Sequence, residues 1–142
     1  MEHIYGAESY FSEQAEPKSI HDLDAHKLIA INEDIFKNHS ALNWIQSLGL
    51  DNTAHVREAY MKFSSNDGKV NALVQGYGLA SCSEVHRKVI GAKNIRPVLT
   101  NIASSKTEVY FIFNGERSKR HYIKEIYNNI KERLEPLLTE KS

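Results

Sequence analysis

Turn-forming residues cut this chain into short pieces: Gly49, Ser64 to Gly68, Gly76 to Gly78, Gly91 to Asn94 and Asn114-Gly115. The fold must be assembled from short elements, and the apolar spacing inside each piece decides what that element is. After Pro17, Ser19 starts a stripe of Ile20, Leu23, Leu28, Ile31 and Ile35, which predicts a helix over 19–37. Ser40 caps a second predicted helix, Ala41 to Leu48, which Gly49 ends. Its Trp44, Ile45 and Leu48 read as core. Thr53 opens a third segment with Val56, Ala59, Tyr60 and Phe63 at helical spacing.

Beyond Gly68 the reading forks. Val70, Leu73, Val74 and Tyr77 fall at i, i+3, i+4 and i+7, a helix stripe. The Asp67-Gly68 turn also fits a hairpin joining 58–64 to 69–77. The helix is the favoured branch. Ser83 caps a further helix, Glu84 to Ala92. Strands are then predicted at 95–102 and 108–113, joined by the polar stretch 103–107. Pro97 cannot donate to a ladder, so the first strand is expected at an edge. From Ser118 the stripe Ile123, Ile126, Tyr127, Ile130 and Leu134 marks the clearest helix, to be ended or kinked by Pro136.

The 142 residues, 41% hydrophobic and 25% charged, are ordinary for one globular domain. That excludes a fully disordered chain, a collagen-like repeat and a disulfide scaffold. The expected organisation is a single domain, 1–142. Its parts are a polar lead-in at 1–18, whose order the sequence leaves open, an acidic helical part at 19–50, a segment at 53–116, and a terminal helix at 117–139. One cysteine, Cys82, permits no internal disulfide and fits a reducing compartment. No apolar run approaches the ~20 residues of a membrane span. The start, Met1-Glu2-His3-Ile4-Tyr5, lacks the pattern of a signal peptide. A cytoplasmic location without membrane contact is the expectation.

Net charge is zero, yet residues 1–36 hold eight acids against two bases, and 85–120 hold eight bases against two acids. Such polarity points to a polyanion partner, or to an acidic helix packed on a basic face of its own domain. Helix, turn, helix and two strands, from Gly68 to Phe113, is the element order of a winged helix-turn-helix. Gly78-Leu79-Ala80-Ser81-Cys82-Ser83-Glu84-Val85-His86-Arg87 resembles the turn and recognition helix of that superfamily, with one residue more than usual between Gly78 and Val85. The resemblance implies a mainly helical α+β fold with a β-hairpin wing and a long C-terminal helix. It also implies a DNA-binding regulator, in which Ser83, His86, Arg87 and Lys88 read base edges while Arg96, Lys106, Lys119 and Arg120 hold phosphates.

A homodimer through the last helix is the expected assembly, with self-packing of that stripe as the alternative. Two other functions stay open. One is a non-enzymatic protein-interaction module, such as an inhibitor, immunity or accessory protein. The other is a small-ligand-binding α+β domain, reached if 58–77 is a hairpin. The balance is against an enzyme, and no cofactor or metal is expected. Of seven histidines only His21 and His26 lie close together, at a spacing wrong for one helix face. His26 reads instead as a surface partner of Asp22. Cys82 and His86 are four apart but lack an orienting acid, so Cys82 reads as a small packed residue. Gly76-Tyr77-Gly78 is too short for a phosphate-binding loop.

Overall fold

The computed structural model describes residues 1–32, 43–51, 56–101, 104–105, 110–112 and 121–139. The chain divides into two compact units, Met1–Lys106 and Thr107–Ser142.

The first unit is built around β1 (Glu2–Ala7), the centre of a three-stranded antiparallel sheet ordered β4-β1-β5. β4 is Ala80–Ser83 and β5 is Ile95–Val98. The registers pair Ile4 with Ser81 on one side and with Val98 on the other. β5 is an edge, which suits Pro97, and Ile4, Tyr5 and Ala7 are almost wholly buried. β1 runs directly into α1 (Glu8–Glu13). At Gly6 an added Cβ would lie 2.3 Å from Phe11 Cζ, so the ring of Phe11 crosses the strand where no side chain stands.

A second, parallel pair joins β2 (Ile29–Ile31) to β3 (Met61–Phe63). Asn43 completes the edge of β2: its Oδ1 accepts from Ile31 N (2.9 Å) and its Nδ2 donates to Ile31 O (2.8 Å). α2 (Trp44–Ser47) follows at once. The two sheets meet at a bridge between Leu28 and Leu79, with Ile29 N donating to Leu79 O and Leu79 N to Lys27 O, both at 2.8 Å. α3 (Asn66–Val74) connects β3 to β4 and lays Val70, Ala72 and Leu73 on the core. Ser65 caps it by accepting from Gly68 N (3.1 Å). Gly76, at φ +82°, closes it with Gly76 N to Leu73 O and Tyr77 N to Ala72 O, a Schellman ending. α4 (Glu84–Val89), capped by Ser83, ends the same way at Gly91.

Arg57 is buried where three segments meet. Its Nη1 donates to Leu48 O (2.6 Å), its Nη2 to Ile20 O (3.3 Å), and its Nε to Asp24. Gln46 holds the same residue by its backbone, with Arg57 N to Gln46 O and Gln46 Nε2 to Arg57 O.

In the second unit α5 (His121–Thr139) continues through Pro136. Tyr127 lies 5.7 Å from Phe111, ring centre to ring centre.

The winged helix-turn-helix arrangement is overturned. The expected turn at 80–83 is β4, because the polar lead-in at 1–18, through β1, pairs along it. The expected recognition helix is the short α4, whose Val85 is only half-buried and stays outside the core cluster. The wing's first strand pairs with β1 over Ile95–Val98. Of that second strand, Tyr110 to Ile112 carry no strand pairing among the described residues, and 108, 109 and 113 lie outside them. The expected helix over 19–37 is a 3-10 turn (His21–Ala25) followed by β2. Leu28 to Ile31 are buried on both faces, which a strand inside a core allows and an amphipathic helix does not. Residues 33–37 and 41–42 lie outside the described part, and so do 52–55 of the third segment, which contributes β3 in place of a helix. At 69–77 the favoured branch holds, since α3 is a helix.

Gly78 passes so close to Lys27 that an added Cβ would lie 2.3 Å from its carbonyl oxygen, against backbone that cannot rotate away. Gly78→Ala is expected to cost about 1–3 kcal/mol in urea unfolding. An unchanged midpoint would contradict this packing.

Candidate functional site

Five elements of the first unit converge where β1 begins, β4 ends, and α2, α3 and α4 start. Lys69 is the unusual member. It lies in the first turns of α3 on the face that meets the sheet, so its stem is buried with Val70 and Leu73, and the residue is only 2% exposed. Its Nζ donates to Ser81 Oγ at 3.4 Å. Burial pushes the Lys69 pKa down, and the Glu2 carboxylate pulls it back toward the charged form. Glu2 is held in turn by Trp44, whose Nε1 donates to Oε2 at 3.1 Å. Alternation along β1 and β4 puts Glu2, Ile4, Ser81 and Ser83 on one face of the sheet, which explains why these partners share it.

Beside this pair, α3 and α4 are joined at their first turns. The Asn66 amide nitrogen stands 2.8 Å from His86 Nδ1, and His86 Nε2 lies 3.6 Å from Asp67 Oδ1. Ser83 Oγ accepts from His86 N at 3.1 Å. The opening of α3, the Lys69 ammonium and the imidazole together make this end suited to a small anion. Burial pushes the neighbouring Cys82 thiol up to about 11, which leaves it unreactive. Among the described residues no group of three acidic, histidine or cysteine side chains is placed to hold a metal.

The opposite face of the same strands carries a charged lock. Tyr5 OH donates to Glu84 Oε2 (2.5 Å), and Arg87 grips Glu84 through Nη2 (2.6 Å) and Nε (3.2 Å). The bonds from Arg87, aided by Tyr5, hold the Glu84 carboxyl down at about 2.

The residues expected to meet DNA are therefore distributed differently. Ser83 and His86 belong to the anion-suited end, and Arg87 is committed to Glu84. Lys88 is half-buried on α4. Arg96, on β5, pairs with Glu16 and covers the Phe11 ring at 4.6 Å. Lys106, Lys119 and Arg120 lie outside the described residues. Glu2, Trp44 and Lys69 escaped sequence reasoning as site residues, because Lys69 stands beside the stripe of Val70, Leu73 and Val74 and not in it. Asp22 accepts from Lys18 N and Ser19 N and closes a turn, while His26 takes Tyr10 as its partner.

The sequence matches no protein-family model and no curated relative. Solved structures do resemble it. The regulatory domain of CrgA, a LysR-type transcriptional regulator from Neisseria meningitidis, superposes with a TM-score of 0.65 at 14% identity, covering 94% of this chain and 64% of that one. The larger CrgA structure gives 0.70 at 17%, covering 94% and 44%. The regulatory domain of AphB from Vibrio vulnificus gives 0.51 at 18%, covering 69% and 48%. The likeness is one of fold. This chain thus spans less than two thirds of the structures it resembles, and their likeness is to regulatory domains rather than to winged helix-turn-helix modules. No helix among the described residues is long and apolar enough to cross a membrane.

Glu84 is expected to support the fold fully above its unfolded pKa near 4.5 and to lose that support as pH falls through about 2. Stability measured by urea across this window should fall less in Glu84→Gln than in the parent. Arg87→Ala should cost about 1 kcal/mol of stability. Intact stability with weakened duplex-DNA binding would instead mean that Arg87 is free to serve DNA.

Proposed function

We propose that this chain is the effector-sensing part of a transcription regulator of the LysR type, and that its effector is a small carboxylate or similar anion. The observation that carries the first half is the superposition of 94% of the chain on the CrgA regulatory domain. What supports the second half is Lys69: a buried ammonium in the first turns of α3, which the Glu2 carboxylate pulls toward its charged form. An incoming carboxylate adds a second negative partner to the ammonium. This reading takes up the small-ligand alternative for an α+β domain and needs no recognition helix in this chain.

The same reading carries the homodimer. Along α5, Ile126 and Tyr127 are close to half exposed and Ile130 is 39% exposed, a stripe of the kind that closes on a second copy. Sedimentation equilibrium should find a dimer that Ile126→Glu with Ile130→Glu converts to monomer. A parent that is monomeric at high concentration would remove this part of the proposal.

The effector is tested by thermal unfolding against small mono- and dicarboxylates, with uncharged amides of the same skeletons as controls. A carboxylate at about 100 times its Kd should stabilise the fold by about 2.7 kcal/mol. Lys69→Met, which keeps the buried stem, should fold and lose that response. Stabilisation by none of the carboxylates, or by all of them in Lys69→Met, would overturn the assignment.

A further inference from the structure

α1 buries one residue, Tyr10, and its hydroxyl bonds to the segment that leads into β2. The hydroxyl oxygen accepts from Lys27 N (3.2 Å) and stands 3.0 Å from His26 Nδ1. A backbone amide can only donate, so the hydroxyl hydrogen is left for the imidazole. Among the described residues no other acceptor bonds that hydrogen, and burial keeps it on the oxygen by pushing the Tyr10 pKa up. His26 Nδ1 is therefore the acceptor, which makes His26 the neutral form with its proton on Nε2. We infer that Tyr10, His26 and Lys27 form a proton-operated latch: neutral His26 pins α1 to the segment entering β2, and protonation of His26 releases the pin. The added proton goes to Nδ1, where it meets the Tyr10 hydrogen head on. The hydroxyl must turn away, and its hydrogen loses its partner at a residue only 8% exposed.

The turn between α3 and β4 rests on the same two segments. A Cβ on Gly76 would lie 3.3 Å from Tyr10 N, and one on Gly78 would lie 2.3 Å from Lys27 O. Leu79 N also donates to Lys27 O. The latch thus closes a ring of three segments around a cleft of about 420 Å³ that Tyr10, Lys27, Gly76 and Tyr77 all line. The charges around His26 leave it free to titrate. Burial pushes the imidazole below its ordinary 6.5, and Asp22, on the 3-10 turn, pulls it partly back. Asp22 is itself held by Lys18 N and Ser19 N. Asp24, Lys27 and Glu58 share an open hollow with His26, but Asp24 is committed to Arg57, and Lys27 Nζ lies 4.8 Å over the ring of Tyr60. From α1, Glu13 lines the neighbouring cleft.

The latch is independent of the anion site at Lys69, so Lys69→Met should keep it. The 15N-labelled 142-residue protein is followed by NMR, with the His26 imidazole titrated directly and amide exchange corrected for its intrinsic pH dependence. The neutral pin holds fully above 6.5 and is lost as pH falls through the lowered His26 value. Between about pH 7.5 and about pH 5, protection of the Lys27 amide should fall about tenfold, along the His26 titration curve. His26→Gln keeps an acceptor for Tyr10 but cannot titrate, so its Lys27 protection should stay level. Tyr10→Phe keeps the ring and removes the pin, so protection should already be low at about pH 7.5 and fall no further. If a variant does not fold, the two curves of the parent decide. Level Lys27 protection while His26 titrates would overturn the proposal. So would a His26 that titrates at 6.5 or above, or an equal fall in His26→Gln.

Discussion

The pairing of β1 on both its edges is the constraint on which the rest depends. A central strand must satisfy its backbone on two sides and bury both faces, so it dictates where β4 and β5 lie. The same pairing decides which side chains meet. Glu2 reaches Trp44 on one face, Tyr5 reaches Glu84 on the other, and Gly6 leaves room for Phe11. A segment of six residues thereby organises a core drawn mostly from elsewhere in the chain.

That dependence explains what the sequence reveals and what it hides. Local signals read true: Ser83 caps a helix, Gly76 and Gly91 mark helix ends, and Val70, Leu73 and Val74 of the α3 stripe face the core. Helix α5 was equally legible from its periodicity. Long-range pairing was not. Ala80-Ser81-Cys82-Ser83 has no strand signature of its own and becomes a strand only because β1 pairs with it, about eighty residues away in the chain. Leu28 to Ile31 fit a helical stripe by coincidence, and the strand wins because the site is buried on both sides. Of the anion-suited end, Ser83 and His86 were visible for a different reason. Lys69 was not, since an isolated lysine gives no sign that its counter-charge stands at residue 2.

The two ends of α3 stand in different surroundings within the first unit. One end gathers Lys69, Asn66, Asp67 and His86, the other Gln75, Gly76 and Tyr77. Nine residues of helix separate them by roughly 13 Å. A helix is stiff over that length, and its packed face of Val70, Ala72 and Leu73 leaves it little room to move except as a whole.

Arg57 has a consequence for how the molecule comes apart. Its guanidinium is shared among Ile20, Asp24 and Leu48, which come from two separate stretches of the chain. Detaching any one of them strands part of a buried charge, so the cost of loosening the first already covers much of the cost of loosening the others. That corner therefore opens as one cooperative block, with its backbone amides exchanging with solvent together rather than one segment at a time.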